Sequence, residues 1–159
     1  MPTTAPAPAW SYVLHLPHDP RAPRVARMTL RAALAAHGPV ELLDAAELLT
    51  SELVTNAYRH TSGPAALRVR GLDGPRHGIR VGVWDTDPRI PPPFDATPAH
   101  RPPLRPAPPG ADHGRGLHLV RLCADAWGGF PLGDDLFGRG GKLLWFEVVA
   151  PGLALEVVA

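Results

Sequence analysis

The sequence predicts an α+β fold, a two-layer α/β sandwich in which a mixed sheet carries its helices on one face. Three observations lead there. Residues 40–60 hold the strongest helical period in the chain, with Leu42, Ala46, Leu49, Leu53 and Ala57 recurring every three or four positions. Two short alternating segments follow at 66–72 and 78–84, where Leu67, Val69, Ile79, Val81 and Val83 take one face each. The elements run strand, helix, helix, two strands, a long proline-rich interval, helix, two strands.

Residues 1–9 are rich in Pro, Ala and Thr and are expected to form a disordered leader, so the domain is placed at 10–159. Residues 10–16 mix aromatic and β-branched side chains, as a strand does. Over 24–37 a first helix is expected, because Val25, Met28, Ala32 and Ala35 recur at helical spacing and Gly38-Pro39 stops it. Gly63-Pro64 ends the second helix, and Asp73-Gly74-Pro75 reads as the turn between the two strands. Ten of the 21 prolines fall between Asp87 and Gly110, which excludes a helix or a central strand there. An interval of that length inside a domain is a lid, a binding loop or disorder. A helix restarts near Gly116 with Leu117, Val120, Ala124 and Trp127 on one stripe, and strands follow at 127–132 and 142–149.

Composition narrows the function. The chain has 159 residues, 45% hydrophobic and 19% charged, enough to bury a core as one domain. Its formal charge is +1 and its basic residues are scattered singly, which argues against nucleic acid as a direct partner. Lys142 is the only lysine, a skew that reads as codon bias and carries no functional weight at this level. Cys123 stands alone, so an internal disulfide is excluded and a reducing compartment is expected. No apolar run approaches the roughly 20 residues that span a bilayer, and the start lacks the pattern of a signal peptide. A cytoplasmic protein with no membrane partner is the expectation.

Chemistry concentrates at a few positions. Glu52, Asn56 and His60 are spaced four apart and share one side of the long helix, next to the apolar edge through Leu49 and Leu53. A carboxylate and a carboxamide beside the core need partners, which a magnesium nucleotide supplies; a water-line position and a helix cap at His60 serve as well. Asp85 ends the second alternating strand, where its carboxylate can accept the exocyclic amine of adenine or form a turn before Thr86-Asp87-Pro88. Gly114-Arg115-Gly116 precedes the last helix, and glycines there let backbone N–H groups approach phosphate.

In order, the segments Ser51-Glu52-Leu53-Val54-Thr55-Asn56-Ala57-Tyr58-Arg59-His60, Asp85, His113-Gly114-Arg115-Gly116-Leu117 and Gly141-Lys142-Leu143-Leu144-Trp145-Phe146 resemble the N, G1 and G2 boxes of the histidine-kinase-like ATPases of the Bergerat fold. The likeness is closest to the stand-alone anti-sigma-factor serine kinases of bacteria. It implies ATP and Mg2+ as cofactors, with Glu52 as general base, Asn56 as the magnesium ligand and His60 where the helix meets the phosphates. It further implies Asp85 as the adenine-reading carboxylate, Gly114, Arg115, Gly116 and Leu117 around the phosphates, and residues 88–112 as the ATP lid. The implied partners are a sigma factor and an anti-anti-sigma protein carrying the substrate serine; homodimerisation is left open.

Three features depart from the family pattern. The glycine expected soon after the adenine-reading aspartate is absent, since Thr86, Asp87 and Pro88 follow Asp85. Leu143 stands where a small hydroxyl residue is usual, and the lid carries Arg89, Arg101 and Arg105. Two functions follow: a serine protein kinase acting through Glu52, or a nucleotide-dependent module that sequesters a sigma factor without phosphate transfer. The catalytic half of a sensor histidine kinase is set aside for want of a phosphoacceptor helix.

Overall fold

The computed structural model describes residues 10–73, 77–95, 115–133 and 140–151. The expected leader at 1–9 and most of the lid segment, 96–112, lie outside the described residues, as does Gly114. Along the chain come β1 (Ser11–Leu16), α1 (Ala22–His37), a 3-10 turn (Val40–Leu42), α2 (Leu43–His60), β2 (Ala65–Gly71), β3 (Gly78–Asp85), α3 (Arg115–Cys123), β4 (Ala126–Pro131) and β5 (Lys142–Val149). The strands lie in the order β1-β2-β3-β5-β4.

The α+β two-layer expectation holds, but the sheet is not mixed: all four pairings among the described strands are antiparallel. Connectivity explains this. Parallel neighbours need a crossover that carries the chain back to the starting end. Between β1 and β2 the chain makes two helical passes, and α1 and α2 run antiparallel, as the bonds Arg27 to Ser51 and Arg31 to Glu47 show. Two passes return the chain to the end where β1 finished, so β2 must run the other way. Further on, β5 enters between β3 and β4 and pairs antiparallel with both.

The core fills the space between one sheet face and the helices. On α2 the expected stripe of Leu42, Ala46, Leu49, Leu53 and Ala57 is buried, and it meets Leu67, Val69, Val81, Val83 and Phe146 from the sheet. On α1 the stripe differs from the expected one. Ala26, Leu30, Ala33 and Leu34 are buried, whereas Val25 and Met28 are 44% and 60% exposed and Ala32 and Ala35 also face outward. Each side carries two alanines, so the choice lies between Leu30 with Leu34 and Val25 with Met28, and the two leucines are the pair removed from water.

The start of the proline-rich interval belongs to the core. Phe94 is 2% exposed and Ile90 packs beside it. Both sit over Gly129 of β4, where a Cβ would come within 3.2 Å of Phe94 Cβ and 2.8 Å of Leu144 Cδ2. Of the segment expected to be the lid, residues 90–94 are therefore anchored on the sheet through Ile90 and Phe94. Truncating Phe94 to alanine should lower the unfolding free energy by about 3 kcal/mol in urea titration; a loss below about 0.5 kcal/mol would mean that the segment is only draped on the sheet.

Candidate functional site

The site lies where the last turn of α2 meets the end of β3 and the start of β5. A cavity of about 240 Å³ opens there, lined by Asn56, His60, Asp87, Arg89, Ile90, Pro91 and Lys142. That volume is just under the roughly 300 Å³ at which small-molecule pockets begin. Asn56 is half-buried and His60 exposed, one turn apart on the same helical side, as their spacing requires. Glu52, one turn earlier, is half-buried and not part of the cavity wall.

Lys142 forms the floor, with Asp85 directly behind it. The β3–β5 register sets them directly opposite each other, on the sheet face that also carries Val83 and Leu144. Lys142 Nζ donates to Asp85 Oδ1 at 2.9 Å and to the Asp87 carbonyl oxygen at 3.0 Å. The same Oδ1 accepts the Asp87 backbone N–H at 2.9 Å. The two side chains are 2% and 3% exposed. Asp85 was expected to project into a crevice; it instead faces a lysine, and Lys142, not Asp85, lines the cavity.

Local geometry makes this pair possible. Gly140 and Gly141 precede β5 with φ of +50° and +87°, and a Cβ on Gly141 would collide with the Asp85 carbonyl oxygen. Only glycine lets the chain pass so close to the end of β3. On the opposite face of the sheet Trp84 Nε1 donates to the Gly140 carbonyl oxygen at 3.0 Å, fixing the same approach.

Asp87 occupies the place of the absent glycine and builds a turn of its own. Its carboxylate accepts the Arg89 backbone N–H at 3.0 Å and pairs with the Arg89 guanidinium at 3.1 Å. The hydrogen bond from the Arg89 side chain, and then that from its N–H, hold the Asp87 carboxyl below the usual carboxylate range. Of the three arginines in the expected lid, Arg89 lines the cavity, while Arg101 and Arg105 lie outside the described residues.

Arg115 and Gly116 form the first turn of α3, and Leu117 is half-buried against the core. α3 itself packs on α2. Lys142 is the residue that sequence reasoning passed over. Its signal was phase: 142, 144, 146 and 148 alternate onto the buried face of β5, so a lysine at 142 enters the core side and requires a carboxylate there.

A sheet backed by helices, with a cleft at the end of its long helix lined by a carboxamide, a histidine and the ion-paired Arg89 and Lys142, defines an α+β domain with a candidate ligand site. The chain matches the model of the histidine kinase-like ATPase domain over residues 16–127, more than half of its length, and it belongs to that family. No curated protein matches it. Membership makes ATP the ligand of this fold and ATP-dependent activity its general kind. Among the described residues no helix is long and apolar enough to cross a membrane.

The fit to ATP differs between the two ends of the cleft. Asn56 offers a carboxamide oxygen, a hard ligand suited to the magnesium of a polyphosphate, and the His60 ring can donate to phosphate oxygen, while Arg89 would reach phosphate only by sharing its guanidinium with Asp87. At the floor, the carboxylate expected to take the adenine amine is already paired. Breaking that pair from one side should be costly: Lys142→Met is expected to lose about 3–5 kcal/mol of stability in urea titration, and the double change Asp85→Leu with Lys142→Met to recover most of it. A loss under about 1 kcal/mol for the single variant would show the pair to be hydrated.

Proposed function

We propose that the chain is an ATP-binding regulatory protein of the cytoplasm that acts as an anti-sigma-factor-type serine protein kinase on an anti-anti-sigma partner. The observation that carries this reading is the α2 face itself, which brings Asn56 and His60 into the cleft and leaves the Glu52 carboxylate one turn away, half-buried. ATP, when bound, supplies the phosphoryl group. Asn56 would hold magnesium through its carboxamide oxygen, and His60 and Arg89 would face phosphate oxygen. Glu52 would take the proton from the partner's serine hydroxyl at a carboxylate oxygen. Charge placement and orientation carry most of phosphoryl transfer, so a single well-placed carboxylate is a sufficient base.

A second reading has its own support. The closed Asp85–Lys142 pair suits a module that binds a sigma factor under nucleotide control without transferring phosphate. The two readings separate at Glu52. Glu52→Ala should bind ATP nearly as well as the unmodified protein, while radiolabel transfer to the partner falls roughly 10²- to 10⁴-fold. Equal transfer by both proteins removes Glu52 as the base; no transfer to any bound partner leaves the sequestering module. In calorimetric titrations, Asn56→Ala should bind ATP with an affinity that no longer responds to magnesium. An unchanged response would place the ion elsewhere.

A further inference from the structure

Lys142 is the chain's only lysine, lies beyond the residues that the family model matches, and sits nearly fully buried at the floor of the cleft. We infer that Lys142 sets the base selectivity of the site: the Asp85–Lys142 pair stays closed when a nucleotide binds, so the site does not read the 6-amino group of a purine. The inference rests on the ATP-binding reading above.

Three contacts converge on the pair. Asp85 Oδ1 takes both the Lys142 ammonium and the Asp87 backbone N–H, and the ammonium also donates to the Asp87 carbonyl oxygen. Opening the pair would strand a buried ammonium and a turn at once. Magnitudes decide between a closed pair and a handed-over carboxylate. Removing one partner of a buried ion pair shifts an equilibrium by roughly a hundred- to several-thousandfold. A charge-assisted hydrogen bond from a purine amine returns about ten- to a hundredfold. The ammonium therefore keeps Oδ1, and a purine amine could turn only to Oδ2, on a side chain that is 3% exposed and outside the cavity wall.

Geometry adds a second obstacle. The Asp85 side chain is 3% exposed and lies outside the cavity wall, whereas Lys142 is part of that wall. A base entering the cleft meets a donor where a family member with a free carboxylate presents an acceptor. An amine is a donor and gains nothing there; an oxo group is an acceptor and loses nothing.

The test compares ATP with inosine triphosphate, which carries an oxo group in place of the 6-amine, by calorimetry on the full chain. The unmodified protein should bind inosine triphosphate within about threefold of ATP, or more tightly. Lys142→Thr, which frees Asp85, should shift the ratio at least tenfold toward ATP. A tenfold preference for ATP in the unmodified protein, or an unchanged ratio in a folded Lys142→Thr, would overturn it while leaving the ATP-binding reading intact. No nucleotide bound by either protein would end both. A second measurement needs no variant. With 15N-labelled lysine the chain shows one side-chain ammonium signal, which should keep its protection from solvent exchange when ATP is added; loss of that protection would mean that Asp85 is released to the base.

Discussion

The β3–β5 register is the constraint on which the rest of the site depends. It sets Asp85 against Lys142 at one end of the strand pair, and it runs unbroken to Gly78 against Val149 at the other. A slip of β5 by one residue would turn Leu144, Phe146 and Val148 out of the core and separate the two charges. The register is held at the cleft end by contacts on both faces: the ion pair within, and the Trp84 bond to Gly140 on the outer side. Core packing and site geometry are thus the same requirement expressed on alternate residues of two strands.

What the cleft receives from the helical layer is position. α2 is buried along Leu49, Leu53 and Ala57, which fixes the rotation of the helix and hence the direction of Asn56 and His60. The helix is further tied to α1 by Arg27 to Ser51 and Arg31 to Glu47 at the surface. The half-buried Arg27 bond and the exposed Arg31 pair contribute little energy compared with the apolar stripe, but they fix how α1 lies along α2.

Much of this was legible beforehand. The α2 period and the β2 and β3 alternation follow from spacing, because a long stripe or a clean alternation admits one face only. The α1 face was less legible, since that helix carries two apolar stripes and only comparison of side-chain size with the available neighbours selects Leu30 and Leu34. Sheet polarity required counting helical passes, a property of the path and not of any residue. Phe94 was hidden by the prolines around it, whose composition masks one well-anchored aromatic. Asp85 was found as a residue but not with its partner, because a cross-strand pair 57 positions apart has no local signature.

The burial of Lys142 also governs how the chain meets reagents. Every other basic side chain is an arginine, so the chain holds a single ε-amine, and that amine is 2% exposed. Acylating and crosslinking reagents find no accessible lysine on the folded surface. Their slow reaction at this one position would report the fraction of molecules whose cleft floor has transiently opened, so ordinary amine chemistry becomes a gauge of local unfolding at the site.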